Sequence, residues 1–389
     1  MTNWQTKTIR EATSLVKDGT HGTHKESPNG IPLLSAKDVN NGKIIFDNNP
    51  RLISRSEFDS IHRSYRLLDG DILLTIVGSL GRVAVVRNYT NNYTLQRSVA
   101  ILRFNDTVYS QFAYHLLCGY GFQKELMKRE SKGAQGGVYL GEIIKIKINL
   151  PEKPEQERIV SVLETWDNYL ELLDKKIALK EQLKKGLMQQ LLTGKKRYTD
   201  FNDKWVTVKL GDISRIKTGS KDNQNKVVGG TYPFFVRSPF VEQINSYSFD
   251  GEAILIPGEG NIGQIVHYIN GKFDYHQRVY CISNFSNNLN GKYIYYYFIK
   301  NFAKQALKDS AKAAVDSLRL PTFTNFVINL PSFQEQNNIV KTLDIISSEI
   351  NSLEQTKISY TLQKKYLLKN LITGTIRTPE NLTKIGETL

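Results

Sequence analysis

Cysteine is nearly absent: the 389-residue chain carries only Cys118 and Cys281. They stand far apart, with no C-x-x-C pair and no histidine-rich neighbourhood, which argues against a disulfide framework or structural zinc site and predicts a reducing cytoplasm. Long apolar runs are missing too. Nothing approaches eighteen consecutive apolar residues, and the opening stretch Met1 to Gln5 lacks the basic-then-apolar layout of a secretory signal. Neither a membrane span nor secretion is expected.

Catalytic signatures are equally scarce. There is no G-x-x-x-x-G-K-[ST] phosphate loop, so ATP hydrolysis by that route is excluded. Neither Asn-Pro-Pro-aromatic nor Asp-Pro-Pro-Tyr, the mark of amino-group methyltransferases, occurs. Gly258-Glu259-Gly260-Asn261-Ile262-Gly263 has dinucleotide-type spacing but runs into Gln264-Ile265-Val266-His267-Tyr268-Ile269, a strand pattern. A pyrophosphate needs a helix N-terminus there, so a glycine turn between strands is expected instead. His21 and His24 are spaced for neither one helical face nor a known metal cage, and no metal is expected. Acidic residues fall short of basic ones, 38 against 52, for a net charge of +14. A polyanionic partner fits such a surplus.

What the chain does have is an internal repeat. Ile148-Asn149-Leu150-Pro151 recurs as Ile328-Asn329-Leu330-Pro331, and Glu155-Gln156, Ile159-Val160 and Leu163 recur as Glu335-Gln336, Ile339-Val340 and Leu343. The offset is 180, and it still holds where Leu191-Leu192-Thr193-Gly194 matches Leu371-Ile372-Thr373-Gly374 and Arg197 matches Arg377. Of the 45 positions from 150 to 194, 14 are identical to their partners without a gap. Repeats of this kind decide architecture before any local pattern does.

Both repeats carry apolar residues at alternating four and three spacing: Ile159, Leu163, Trp166, Leu170, Leu173, Ile177, then Ile339, Leu343, Ile346, Ile350, Leu353. That is a coiled-coil seam, and these residues are expected to be core. Lys180 and Lys184, and then Lys357 and Tyr360, interrupt it, which predicts a stutter or short break in each helix. Each helix should end at its Thr-Gly. The segments before the helices correspond loosely: Asp69-Gly70-Asp71 with Asp250-Gly251-Glu252, Gly78 and Gly81 with Gly260 and Gly263, Gln96-Arg97 with Gln277-Arg278. They read as short strands and turns, with helices clearest at 116–129 and 293–308.

The expected fold class is therefore α+β, a pseudo-two-fold repeat of two similar α/β domains separated by two long helices in an antiparallel coiled coil. The divisions are 1–150, 151–197, 198–330 and 331–389. A helix of roughly 38 residues spans about 57 Å, which predicts a dumbbell with both termini near one head. Residues 4–150 are net +7 and 205–330 net +5, so +12 of the +14 lies on the heads. Two basic heads on a rod suit duplex DNA better than a membrane, since no basic amphipathic helix is present.

On these features the chain resembles the specificity subunit of a Type I restriction-modification system. The resemblance covers essentially the whole chain. It is carried by the paired helix openings (150–163, 330–343) and their Leu-(Leu/Ile)-Thr-Gly closings, and by Asp18-Gly19-Thr20-His21, Ile31-Pro32-Leu33-Leu34 and Lys37-Asp38. Tyr232-Pro233-Phe234, Phe249-Asp250-Gly251 and His276-Gln277-Arg278-Val279-Tyr280 carry it in the second head. It implies that the heads are target recognition domains reading two halves of a gapped DNA site. The helices would be conserved spacers that set the gap and dock two modification subunits. S-adenosylmethionine would sit on those subunits, and ATP and magnesium on restriction subunits, leaving this chain without cofactor or catalysis. A free-standing DNA-binding regulator and a self-contained DNA-modifying enzyme are the competing readings.

Base edges are read by forks and paired donors or acceptors, while lysines and hydroxyls hold phosphates. The candidates in the first head are Lys17, Thr20, His21, Thr23, His24, Arg82, Arg97 and the polar loop with Ser131, Lys132 and Gln135. In the second they are Lys217, Thr218, Ser220, Lys221, Arg237, Asn261 and Arg278.

Overall fold

The computed structural model describes residues 4–40, 42–131, 136–261, 263–310 and 317–382. It divides into unit 1, Met1–Leu173 with Thr356–Leu389, and unit 2, Asp174–Gln355. The boundaries fall inside the two long helices, Lys153–Leu191 and Phe333–Leu371, rather than at their ends.

Unit 1 is built on an antiparallel sheet in the order Thr13–Asp18, Val99–Phe104, Ile72–Thr75, Val83–Val85. All four residues of Ile72–Thr75 are buried, which suits an apolar run in a central strand. Beside it Ile31–Leu34 pairs antiparallel with Leu52–Ile53 and parallel with Thr94–Leu95. Unit 2 has a six-stranded sheet in the order Arg215–Thr218, Val279–Ser283, Phe249–Pro257, His267–Tyr275, Tyr232–Phe235, Glu242–Ile244.

The two units repeat one topology. Leu33 and Leu34 lie opposite Thr94 and Leu95 as Phe234 and Phe235 lie opposite Asp274 and Tyr275, and both pairings are parallel. The Gln96 amide donates to the Leu34 carbonyl where that of His276 donates to Phe235, and the Arg97 amide donates to Thr20 where that of Gln277 donates to Lys221. This register corrects one expected correspondence. Gln96 is equivalent to His276 and Arg97 to Gln277, so the two Gln-Arg dipeptides are one residue out of step. Backbone hydrogen bonds, not side-chain identity, set the alignment here. Gly78, Gly81, Gly260 and Gly263 do correspond, and all four have positive φ, +78°, +82°, +87° and +68°. A side chain would strain each turn.

Each core is closed by pieces of both long helices. In unit 1, Ile159, Val160 and Leu163 from the start of the first helix and Leu371 and Ile372 from the end of the second join Ile72, Leu74, Phe112 and Leu116. In unit 2, Leu191 and Leu192 join Ile339, Val340 and Leu343 against Tyr293, Phe298 and Phe302. The expected helix 116–129 is instead two, Ser110–Cys118 and Tyr120–Met127, broken at an extended Gly119. The packing there favours glycine, since a Cβ at Gly119 would lie 2.0 Å from Ile372 Cδ1. The helix Gly291–Ser310 is continuous.

Within each unit the helix segments run antiparallel. Glu155 meets Arg377, Trp166 meets Tyr360 and Asp167 meets Lys364 in unit 1; Lys180 meets Glu349 and Arg197 meets Glu335 in unit 2. Both helices are unbroken over 39 residues, which corrects the expected stutter. The four-three spacing runs on through Lys180, Lys184, Leu187 and Leu191, and through Lys357, Tyr360, Lys364, Leu367 and Leu371, all at least partly buried. Lysines sit in the seam because partners receive them: Glu349 for Lys180, the Tyr296 ring 5.7 Å from Lys184, and Asp167 for Lys364. Of the seam residues named from sequence, Trp166, Leu170, Ile177 and Leu353 are half-buried and the other seven buried.

The repeated signature fixes helix to head. Gln156 accepts the Tyr109 amide at 2.8 Å and donates to the carbonyls of Thr107 and Pro151. Gln336 accepts the Asn290 amide at 3.0 Å and donates to Pro331. At the far end Gly194 and Gly374, with φ +68° and +71°, close the helices as left-handed caps.

Candidate nucleic-acid interface

The loop that follows Thr13–Asp18 places several of the expected contacts. Thr20 is held by backbone bonds to Leu95 and Arg97. His21 is exposed and pairs with Asp18 at 2.6 Å, and Thr23 is exposed. His24 turns inward: its ring meets Thr20 Oγ1 at 2.9 Å and Glu57 at 3.3 Å, and its side chain is only 10% exposed. Burial works to raise the Glu57 pKa, but hydrogen bonds from His24 and Ser54 leave it below the ordinary value. Lys17 lies over the Tyr65 ring at 4.9 Å. Arg97 is exposed, and Arg82 is half-buried on the Gly78–Gly81 turn. Ser131 donates to the Gly137 carbonyl at 3.0 Å. Lys132 and Gln135 lie outside the described residues.

In unit 2 the equivalent loop carries Ser220 and Lys221. Lys221 accepts the Gln277 amide through its carbonyl, and Asp222 binds His276 at 3.2 Å. The Asn223 amide and then His276 hold the Asp222 carboxyl below its usual range. Lys217 and Thr218 are exposed at the end of Arg215–Thr218, and Asn261 is exposed on the glycine turn. That turn joins the antiparallel strands Phe249–Pro257 and His267–Tyr275, and the segment after Gly263 leads into a strand where a dinucleotide would require a helix. Arg237 and Arg278 are brought together by a residue that sequence reasoning passed over. Glu259 receives Arg237 Nη1 at 3.1 Å on one oxygen and Arg278 Nη1 on the other. A carboxylate in a basic head gives no signal until its partners, far along the chain, are placed beside it. Among the described residues no helix is long and apolar enough to cross a membrane.

Two heads of one fold, each on a helix that the other repeat helps to close, define a duplicated recognition module. Residues 1–184 and 202–363 match the family model of the Type I restriction modification DNA specificity domain, and the chain belongs to that family. Over 148 residues it is 30% identical to the Type I restriction enzyme EcoDI specificity subunit of Escherichia coli, covering 38% of this chain and 32% of that protein. It is 22% identical over 410 positions to the putative type I restriction enzyme MjaX specificity subunit of Methanocaldococcus jannaschii, covering 96% and 94% of the two chains. The crystal structure of the Type-I restriction-modification system S subunit from M. genitalium shares the fold, with a TM-score of 0.64 at 17% identity over 95% of this chain and 96% of that one.

Proposed function

We propose that this chain is the DNA-reading subunit of a Type I restriction-modification complex and has no catalysis of its own. Each unit reads one half of a gapped, asymmetric duplex site. Two modification subunits carrying S-adenosylmethionine methylate adenine within that site, and restriction subunits carrying ATP and magnesium join them in the cytoplasm. The observation that carries this reading is the duplication: two domains of the specificity family, each net basic, on one chain. The long helices supply surface for partners as well. Leu172 and Leu362 in unit 1, and Leu179 and Ile345 in unit 2, are large apolar side chains more than half exposed outside the seam.

The test is to sequence the methylated motif in cells carrying the system and then replace residues 1–150 with another domain of the family. A change confined to one half of the motif supports the reading. Adenine methylation by the purified chain alone, abolished by a point change within it, would establish it as an enzyme instead.

A further inference from the structure

We propose that Arg237, Glu259 and Arg278 form a base-reading cluster in unit 2 that selects a G·C pair. The proposal rests on the DNA-reading role above and names the ligand chemistry at one place on the surface.

The register between the units locates that place twice. Arg237 follows Phe235 by two residues, as Ala36 follows Leu34. The Gly258 amide donates to the Arg278 carbonyl where the Ile76 amide donates to that of Ser98, which makes Arg278 equivalent to Ser98. The next residue along, Glu259, bridges Ser317 as Val77 bridges Gly137. One triangle of positions therefore holds Arg, Glu and Arg in unit 2 and Ala36, Val77 and Ser98 in unit 1. The surrounding strands and glycine turns are the same, so the fold does not require the charges. Unit 1 builds the frame without them.

Stability does not account for the cluster either. The side chains are 41%, 28% and 59% exposed for Arg237, Glu259 and Arg278, and ion pairs at such sites contribute at most about 1 kcal/mol each. What the arrangement does provide is chemistry matched to one base pair. Guanine presents O6 and N7, which a guanidinium fork binds in pairs, and cytosine presents an N4 amino group, which a carboxylate accepts. Glu259 engages Nη1 of each arginine, so the carboxylate orients both forks and leaves Nη2 and Nε for other acceptors. The cluster borders an open cleft of about 400 Å³ also lined by Asn223, Lys226 and Ser238. Charged forks in one head and small or apolar groups at the same place in the other are what two heads reading different half-sites need.

The test uses the full chain with its modification subunits. Arg237→Ala, Glu259→Val and Arg278→Ser together give unit 2 the residues of unit 1, and the methylated motif is sequenced. One half-site is expected to stay unchanged while the other loses its preference for G·C at one or two positions. Arg278→Lys keeps the charge and removes the fork; in competition binding with duplexes differing at those positions, selection for G·C should fall roughly 5- to 150-fold, with binding to unrelated duplex unchanged. The proposal is overturned if the triple variant keeps its motif, if Arg278→Lys keeps its discrimination, or if the triple variant folds but loses affinity equally for every sequence, as a phosphate anchor would. If the triple variant does not fold, Arg278→Lys decides alone. A wild-type complex with no sequence preference would sink the DNA-reading role itself.

Discussion

Arg377, just past the end of the second long helix, forks onto Glu155 in the opening of the first. Its Nη2 reaches Oε2 at 2.7 Å while Nε reaches Oε1, and Trp4 Nε1 donates to the same Oε2 at 3.2 Å. Unit 2 repeats the arrangement, with Arg197 at 2.9 and 2.7 Å and Trp205 at 3.2 Å on Glu335. The exchange is reciprocal: the arginine after each helix serves the helix opening of the other repeat. Neither sequence repeat is thus a self-sufficient structural unit, which is why the compact units cut the long helices in the middle.

Breaking this contact should cost most when the buried member is left behind. Glu335 is fully buried, whereas the Arg197 side chain is 23% exposed and can turn to solvent. Arg197→Ala strands a buried carboxylate, and stranded buried charges are strongly destabilising. The thermal midpoint of unit 2 is expected to fall further for Arg197→Ala than for Glu335→Gln, with amide exchange in unit 1 unaltered. Equal losses, or the reverse order, would show that the arginine is not what compensates Glu335.

Truncation after Gly374 tests the same contact from the other side. It removes Ile376, which packs on the unit 1 core, Arg377, and Thr378, whose hydroxyl accepts Arg158 Nε at 3.2 Å. Limited proteolysis is expected to open unit 1 while unit 2 stays protected. Unchanged protection of both would mean the tail is dispensable for packing.

The repeat and the seam were legible in the sequence because both are periodic: an offset of 180 and a four-three spacing survive without any knowledge of partners. The features missed were those defined by partners distant along the chain. Lys180 and Lys184 look like a break because a count of apolar residues cannot see Glu349 or the Tyr296 ring across the seam. His24 looks like a loop contact until Glu57 takes it. Glu259 has no motif, and its meaning comes from arginines 22 residues before it and 19 after it. Whether a dipeptide such as Gln96-Arg97 matches another depends on strand register, which side-chain identity does not encode.

The seam should show the difference between its apolar and charged members. Leu163 and Leu343 are fully buried, so Leu163→Ala or Leu343→Ala is expected to cost about 2–5 kcal/mol through lost burial and a residual cavity. Lys180, paired with a Glu349 that is 40% exposed, should cost less than about 1 kcal/mol on replacement by Ala. Denaturant unfolding separates the two. Comparable costs would mean that the ion pairs, not the apolar layers, hold the helices.

Unit 1 also carries a pH dependence that can be assigned to one side chain. His115 is buried in the helix Ser110–Cys118, and burial pushes its pKa down to about 4; Asp167 opposes the shift and Lys364 adds to it. In the unfolded chain an imidazole titrates near 6.5. Above that value both states hold neutral His115 and stability is independent of its charge. As the pH falls below about 6.5 the unfolded chain takes up a proton that the folded unit refuses, so the folded state loses stability until the folded histidine itself protonates near pH 4. At about 1.4 kcal/mol per pH unit, the loss across that window sums to about 3 kcal/mol. His115→Phe removes the proton and keeps an aromatic ring of similar shape in the site. The unfolding free energy of unit 1 is therefore expected to fall between pH 6.5 and 4.5 more steeply in the wild type than in His115→Phe, because carboxylates elsewhere titrate alike in both. Parallel slopes for the two proteins would show that the folded unit admits the proton at His115 without cost.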